Sequence, residues 1–195
     1  MRLDLSQPLQ LSLALAPELL LVVGAMALLL YSAWRPESMA HQRRVGVLAM
    51  GVALLTLVAV IGVGLMGWDA GPGVLAVYAF RWGADVVFLL ATIFAIGLSL
   101  DYNAREGITA SETHVLVLLA TVGMMIMAAA RDLMVLFLGI ETMSVAVYVL
   151  VGLNRRSARS AEGALKYFLL GAFSTAFLLY GIALVYGATG ATNLA

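Results

Sequence analysis

The chain has 195 residues, of which 63% are hydrophobic and 11% charged, with 11 basic and 11 acidic side chains in balance. Soluble domains run nearer to about 45–50% apolar and roughly a quarter charged, so a water-soluble fold of this size would leave much apolar surface uncovered, and no excess of charge points to nucleic acid. The absence of cysteine excludes disulfides, thiolate zinc sites and cysteine-ligated iron–sulfur clusters within the chain, so any electron transfer belongs elsewhere.

A bilayer core about 30 Å thick is crossed by roughly 20 mainly apolar residues in a helix. Six stretches meet that length, at 14–34, 45–67, 84–100, 113–130, 132–153 and 162–187, which predicts an all-α polytopic bundle forming one transmembrane domain over 1–195. Ala14-Leu15-Ala16 resembles a signal-peptide cleavage box, but the long apolar run follows it instead of preceding it, so the first span is expected to be retained. Arg35-Pro36-Glu37-Ser38 ends that span, because Pro36 disfavours helix at the residue before it. Gly62-Val63-Gly64-Leu65-Met66-Gly67 spells the dinucleotide-loop pattern, yet a run too long for a strand precedes it and Trp68 to Gly73 follows. Nucleotide binding is therefore not expected, and close helix packing is the reading for these glycines. Gly71-Pro72-Gly73 marks a turn. The stretch 74–83, apolar but interrupted by Arg81, reads either as a surface segment or as the start of the third span. Only Arg131 and Asp132 separate the fourth and fifth spans, which requires a tight antiparallel hairpin.

The loops after spans one, three and five hold Arg35, Arg43, Arg44, Arg105, Arg155, Arg156 and Arg159, whereas the opposite side holds Arg2, Arg81 and Arg131. By the positive-inside rule the first group is cytoplasmic and both termini lie outside. The Arg155-Arg156-Ser157-Ala158-Arg159 cluster is a topology determinant that also suits anionic lipid headgroups.

Charges inside the spans carry the chemistry, since placing one near a helix centre costs about 2.5–3.5 kcal/mol on insertion scales. Glu141 lies well inside span five, roughly 18 Å by helical rise from Leu153 at the cytoplasmic end. Ser144 and Tyr148 follow at i+3 and i+7, a polar stripe suited to water and proton transfer. The competing reading is a structural acid paired with a cation on another helix. Lys166 lies about one and a half turns into span six. It is either a proton-handling group tuned by burial and neighbouring charge, or the partner of Glu162 at i,i+4 with its head at the interface. It stands about 10 Å nearer the cytoplasm than Glu141, too far for a direct pair without water. His41, His114 and Met124-Met125-Ile126-Met127 read as incidental or packing residues. Gly171 and Thr175 at i,i+4 would let span six approach a neighbour closely.

Several segments together resemble one family. Ala164-Leu165-Lys166-Tyr167-Phe168-Leu169-Leu170-Gly171-Ala172-Phe173-Ser174, then Leu178-Leu179-Tyr180-Gly181 and Tyr186-Gly187-Ala188-Thr189-Gly190, are similar to the subunit N family of bacterial NADH–quinone oxidoreductase, respiratory complex I. So are Leu100-Asp101-Tyr102, Arg105-Glu106-Gly107-Ile108 and Leu119 to Met125. The likeness is close over about residues 97–192 and general over the first 96. It implies an antiporter-like subunit of the inner membrane that couples quinone reduction to proton translocation among the other membrane subunits. NADH, FMN, iron–sulfur clusters and quinone would be bound elsewhere in the complex, and no cofactor or metal in this chain. On this resemblance Glu141 matches the family's acid of span five and Lys166 a lysine early in span six. The acid's lysine partner on the next, broken helix would lie outside this chain, which is expected to be the N-terminal part of a longer fold and to hold half a proton path. Arg131 departs from the uncharged polar residue that the family pattern leads one to expect. A subunit of a multi-subunit cation/proton antiporter and a non-transporting membrane scaffold are the competing functions, the scaffold giving no reason for an acid at mid-depth.

Overall fold

In the computed structural model, residues 12, 14–66, 75, 79–154 and 156–194 are described, and they form six long helices. These are α1 (Ala16–Ala33), α2 (Met39–Leu65), α3 (Ala79–Glu106), α4 (Glu112–Ala129), α5 (Leu133–Val151) and α6 (Ala158–Thr189). Each is long and apolar enough to cross a membrane.

The helix ends follow local chemistry. Pro17 sits in the first turn of α1, where its missing N–H costs nothing. Ser38 caps α2, its hydroxyl accepting the His41 N–H at 3.1 Å, and Asp132 caps α5 by accepting the Met134 N–H at 2.8 Å. Such caps satisfy amide donors that have no partner within the helix. Gly107 and Gly190 take φ of +67° and +70° just past α3 and α6, the left-handed conformation with which glycine closes a helix.

Helices α1 to α4 enclose the core, in which Leu21, Val45, Leu89, Ile96, Leu118 and Met125 have no exposed surface. Helix α5 packs on α4, and α6 packs on α5. The α4–α5 contact is close because two glycines face each other. A Cβ on Gly123 would stand 2.5 Å from the Met143 nitrogen and 2.7 Å from the Gly139 oxygen. Past α6 the chain returns over this hairpin, the Leu133 N–H donating to the Thr192 carbonyl and the Leu194 N–H to the Arg131 carbonyl, both at 2.8 Å. Thr192 also donates its hydroxyl proton to Asp132 at 2.6 Å.

Several expectations are corrected. Helix α3 runs from Ala79 to Glu106 and α2 starts at Met39, so each helix is longer at its polar end than the apolar stretch read from the sequence. Apolar content marks only the stretch that suits lipid, whereas backbone hydrogen bonding carries the helix on through Arg43, Arg44 and Arg105. Arg81 is not a loop charge but a buried residue of α3. Gly62 and Gly64 lie inside α2. A Cβ on Gly62 would meet nothing within 4 Å and one on Gly64 only the Trp82 ring at ordinary contact, so neither permits close packing. Gly67, Trp68 to Gly73, and Arg2 and Arg155 lie outside the described residues.

Candidate functional site

Helix α5 carries no proline and no charge other than Glu141. Its apolar surface suits lipid and the neighbouring helices on every side but one. Gly139 fixes one face against α4, where Gly123 lies opposite. Tyr148 fixes another against α6, its ring meeting Tyr167 edge-on at 5.2 Å and Phe168 at 5.6 Å between centroids. Gly171 leaves room for the Tyr148 hydroxyl, since a Cβ there would overlap it. The close approach expected at Gly171 is thus present.

Glu141 precedes Tyr148 by seven residues and shares its helix face, so it lies on the α6 side of α5. The residue is half-buried, and its Oε1 is shielded with no hydrogen-bond partner. A buried carboxylate oxygen without a donor is costly. Ser144 is half-buried on the same helix. Tyr148 belongs to the aromatic contact with α6 as much as to a polar stripe.

Lys166 is not brought to Glu141. Its ammonium donates to Glu162 at 2.5 Å, and both side chains are largely exposed, at 69% and 63%. The i,i+4 pair is therefore present, on an outward face of α6. Of all α6 residues only Ile182 is buried, so α6 presents most of its surface away from the other five helices. His114 is fully buried, its Nδ1 3.3 Å from the Ser99 hydroxyl. Among the described residues no group of three or more His, Asp or Glu could hold a metal ion.

One constellation escapes the sequence pattern. Glu18 of α1 and Arg81 and Asp85 of α3 come together inside the bundle. The available signal was an acid directly after Pro17 in the first span, together with an Arg–Asp pair at i,i+4 opening the third.

A family profile described as NADH:quinone oxidoreductase/Mrp antiporter, transmembrane, matches residues 130–195, which hold α5, α6 and Glu141. NADH-quinone oxidoreductase subunit N of Gemmatimonas aurantiaca is 50% identical over 191 residues, covering 93% of this chain and 36% of the relative. The protein of that name from Trichlorobacter lovleyi is 44% identical, covering 92% and 36%. The chain is a homologue of NADH-quinone oxidoreductase subunit N. It spans little more than a third of the length of the curated subunit N sequences that it matches. Among solved structures, a chain of respiratory complex I from Thermus thermophilus with bound aureothin superposes with a TM-score of 0.73 at 30% identity, covering 91% of this chain and 38% of that one. A chain of the membrane-bound sulfane sulfur reductase, an archaeal respiratory membrane complex, gives 0.65 at 25% identity, covering 92% and 38%. The subunit N likeness thus reaches through α1 to α3, beyond the segment that the family profile matches.

Proposed function

We propose that this chain serves in proton translocation by an NADH–quinone oxidoreductase, as part of a membrane subunit that couples electron transfer from NADH to quinone to proton movement. The observation that carries the reading is Glu141, an acid midway along an apolar helix with a shielded oxygen that has no hydrogen-bond partner among the described residues, in a homologue of subunit N. Glu141 is the proton carrier. An approaching cation favours the ionised form of a carboxyl group. Gain and loss of such a partner moves it between binding and releasing a proton, each pK unit of swing being about 1.4 kcal/mol.

Lys166 acts second, because its pairing with Glu162 is on an open face and easily exchanged. Ser144 and Tyr148 border the route between them, where water links groups too far apart for direct contact. The electron carriers belong to other subunits, and this chain's partners are the membrane subunits beside it and the bilayer of a bacterial inner membrane. The basic ends of the helices face the cytoplasm and both termini the other side, in line with the loop arginines. With Arg81 buried, the outer side keeps fewer free cations than the sequence count implied, which favours the same orientation.

A second reading, a subunit of a multi-subunit cation/proton antiporter, has in its favour the antiporter named in the family profile over 130–195. The subunit N relatives, matched over 188 and 191 residues, favour the first. The test is Glu141→Gln and Glu141→Asp in the intact complex, with NADH oxidation and gradient formation measured in membranes holding normal amounts of assembled enzyme. The amide should abolish most pumping, and aspartate should keep part of it. Wild-type pumping with the amide would leave Glu141 a structural residue, and dependence on sodium instead of NADH would favour the antiporter.

A further inference from the structure

At the starts of α1 and α3, remote in sequence from Glu141, three charged side chains meet out of contact with solvent. Glu18 stands in the first turn of α1, Arg81 in the first turn of α3, and Asp85 one turn further along α3. Arg81 and Asp85 side chains have no exposed surface and Glu18 has 6%. The Arg81 Nη2 donates to Glu18 Oε1 and, at 2.9 Å, to the Ala14 carbonyl. Its guanidinium carbon lies 4.5 Å from the Trp82 ring centroid, a cation–π contact. Asp85 is served less well. Its Oδ2 is 3.7 Å from Arg81 Nε, an electrostatic contact too long for a hydrogen bond. Among the described residues, neither oxygen of Asp85, nor Glu18 Oε2, has a hydrogen-bond partner.

The charge count decides what this arrangement must hold. Among the described residues, two carboxylates against one guanidinium leave a full negative charge in a shielded site. An uncompensated buried charge costs several kcal/mol, and two nearby carboxylates oppose each other's ionisation. Among the described residues, Arg81 is the cation that pairs with Glu18 and Asp85. Glu18 is the only charged residue of α1, α2 carries none from Val45 to Leu65, and α4 carries none from Val115 to Ala129. Along α3 the next charge after Asp85 is Asp101, which is exposed. At this end of the bundle the α4–α5 connection adds Arg131 and Asp132, and Asp132 is engaged by Met134 and Thr192.

We propose that Glu18, Arg81 and Asp85 form a proton-binding site separate from Glu141, with Asp85 carrying the proton. Arg81 serves Glu18 through their direct hydrogen bond, and Asp85, without a donor of its own among the described residues, takes an O–H bond. The proton comes from the aqueous phase at the α1 and α3 end and returns there on release, leaving the site at minus one. A metal cation fits poorly, because it would need several oxygen ligands beside a guanidinium of like charge. The site is closed on the other side. Beyond Asp85 the buried face of α3 continues through Leu89, Thr92 and Ile96. Leu89 and Ile96, with no exposed surface, flank the hydrogen-bonded pair of Thr92 and Thr121. The cluster is therefore a store loaded from one surface, not a through-path.

The test is infrared difference spectroscopy of the protein in its native membrane assembly, titrated from acid to alkaline pH in H2O and in deuterated water. Wild type should show a protonated carboxylic acid carbonyl band, shifted by deuteration, that Asp85→Asn removes and Glu141→Gln leaves in place. Because asparagine mimics a neutral aspartic acid, Asp85→Asn should also assemble and unfold as the wild type does, whereas Glu18→Gln should lower thermal stability. Spectra of Asp85→Asn and wild type that superpose throughout would overturn the proposal. So would failure of Asp85→Asn to assemble, loss of the band in Glu18→Gln but not in Asp85→Asn, or a band that follows sodium concentration at fixed pH.

Discussion

Replacing Gly123 by alanine tests how α5, and with it Glu141, is held. The added Cβ would stand 2.5 Å from the Met143 nitrogen and 2.7 Å from the Gly139 oxygen. Both are backbone atoms, so no side chain can turn aside. Restoring ordinary separation requires the helices to part by about 1 Å, which forfeits roughly a quarter to a half of each dispersion contact along the seam. Overpacking of this kind costs about 1–3 kcal/mol, and a backbone obstacle belongs at the upper end, about 2–3 kcal/mol. Alanine's helix propensity returns up to about 1 kcal/mol, leaving a net loss of about 1–2 kcal/mol. Gly62→Ala is the control, because its Cβ would meet nothing within 4 Å and only the propensity gain remains. The two variants should therefore differ by about 2–3 kcal/mol in reversible unfolding measured in matched lipid–detergent mixtures. Equal stability of Gly123→Ala and Gly62→Ala would refute the glycine seam as the device that seats α5.

Other expectations follow from the same structure. Asp132→Ala removes the α5 cap and the Thr192 contact and should cost about 1–2 kcal/mol, with faster amide exchange over 192–194, whereas Asp132→Asn should retain the cap. Glu162→Gln breaks only an exposed i,i+4 pair, so unfolding should shift by no more than about 0.5 kcal/mol, and a larger loss would show that α6 is covered there in the assembly. Single cysteines at Ala40 and Ala158 should react with impermeant reagent from the cytoplasm and one at Ala191 from the other side. Labelling of Ala40 from outside and of Ala191 from the cytoplasm would reverse the orientation argued from the arginines, and labelling of both from one face would overturn the six-span topology.

Apolar run length made the six helices legible, and Arg131–Asp132 marked the hairpin because an acid there is also a helix cap. Helix ends were less so. Arg43 and Arg44 interrupt an apolar run without interrupting a helix. Arg81 was left open between a surface segment and the third span for a stronger reason, since its partner Glu18 is 63 residues away and no local pattern reveals a buried ion pair between two helices. The face shared by Glu141 and Tyr148 was readable from helical spacing, but what lies across it was not. Tyr148 meets aromatic rings of α6, and Lys166 turns outward to Glu162. The i,i+4 spacing of Glu162 and Lys166 was visible in sequence, and only packing could decide that it prevails over an approach to Glu141.

As the proposed proton carrier, Glu141 changes protonation during turnover. The most direct measurement is the number of protons translocated per NADH oxidised by Glu141→Gln, against wild type, at matched content of assembled complex. The NADH rate serves as the internal measure of intact electron transfer. Gradient formation per NADH should fall, or both rates should fall together where coupling is tight, with Glu141→Asp in between. An unchanged ratio at an unchanged NADH rate would contradict it, and would leave Glu141 as a fixed element of the helix packing.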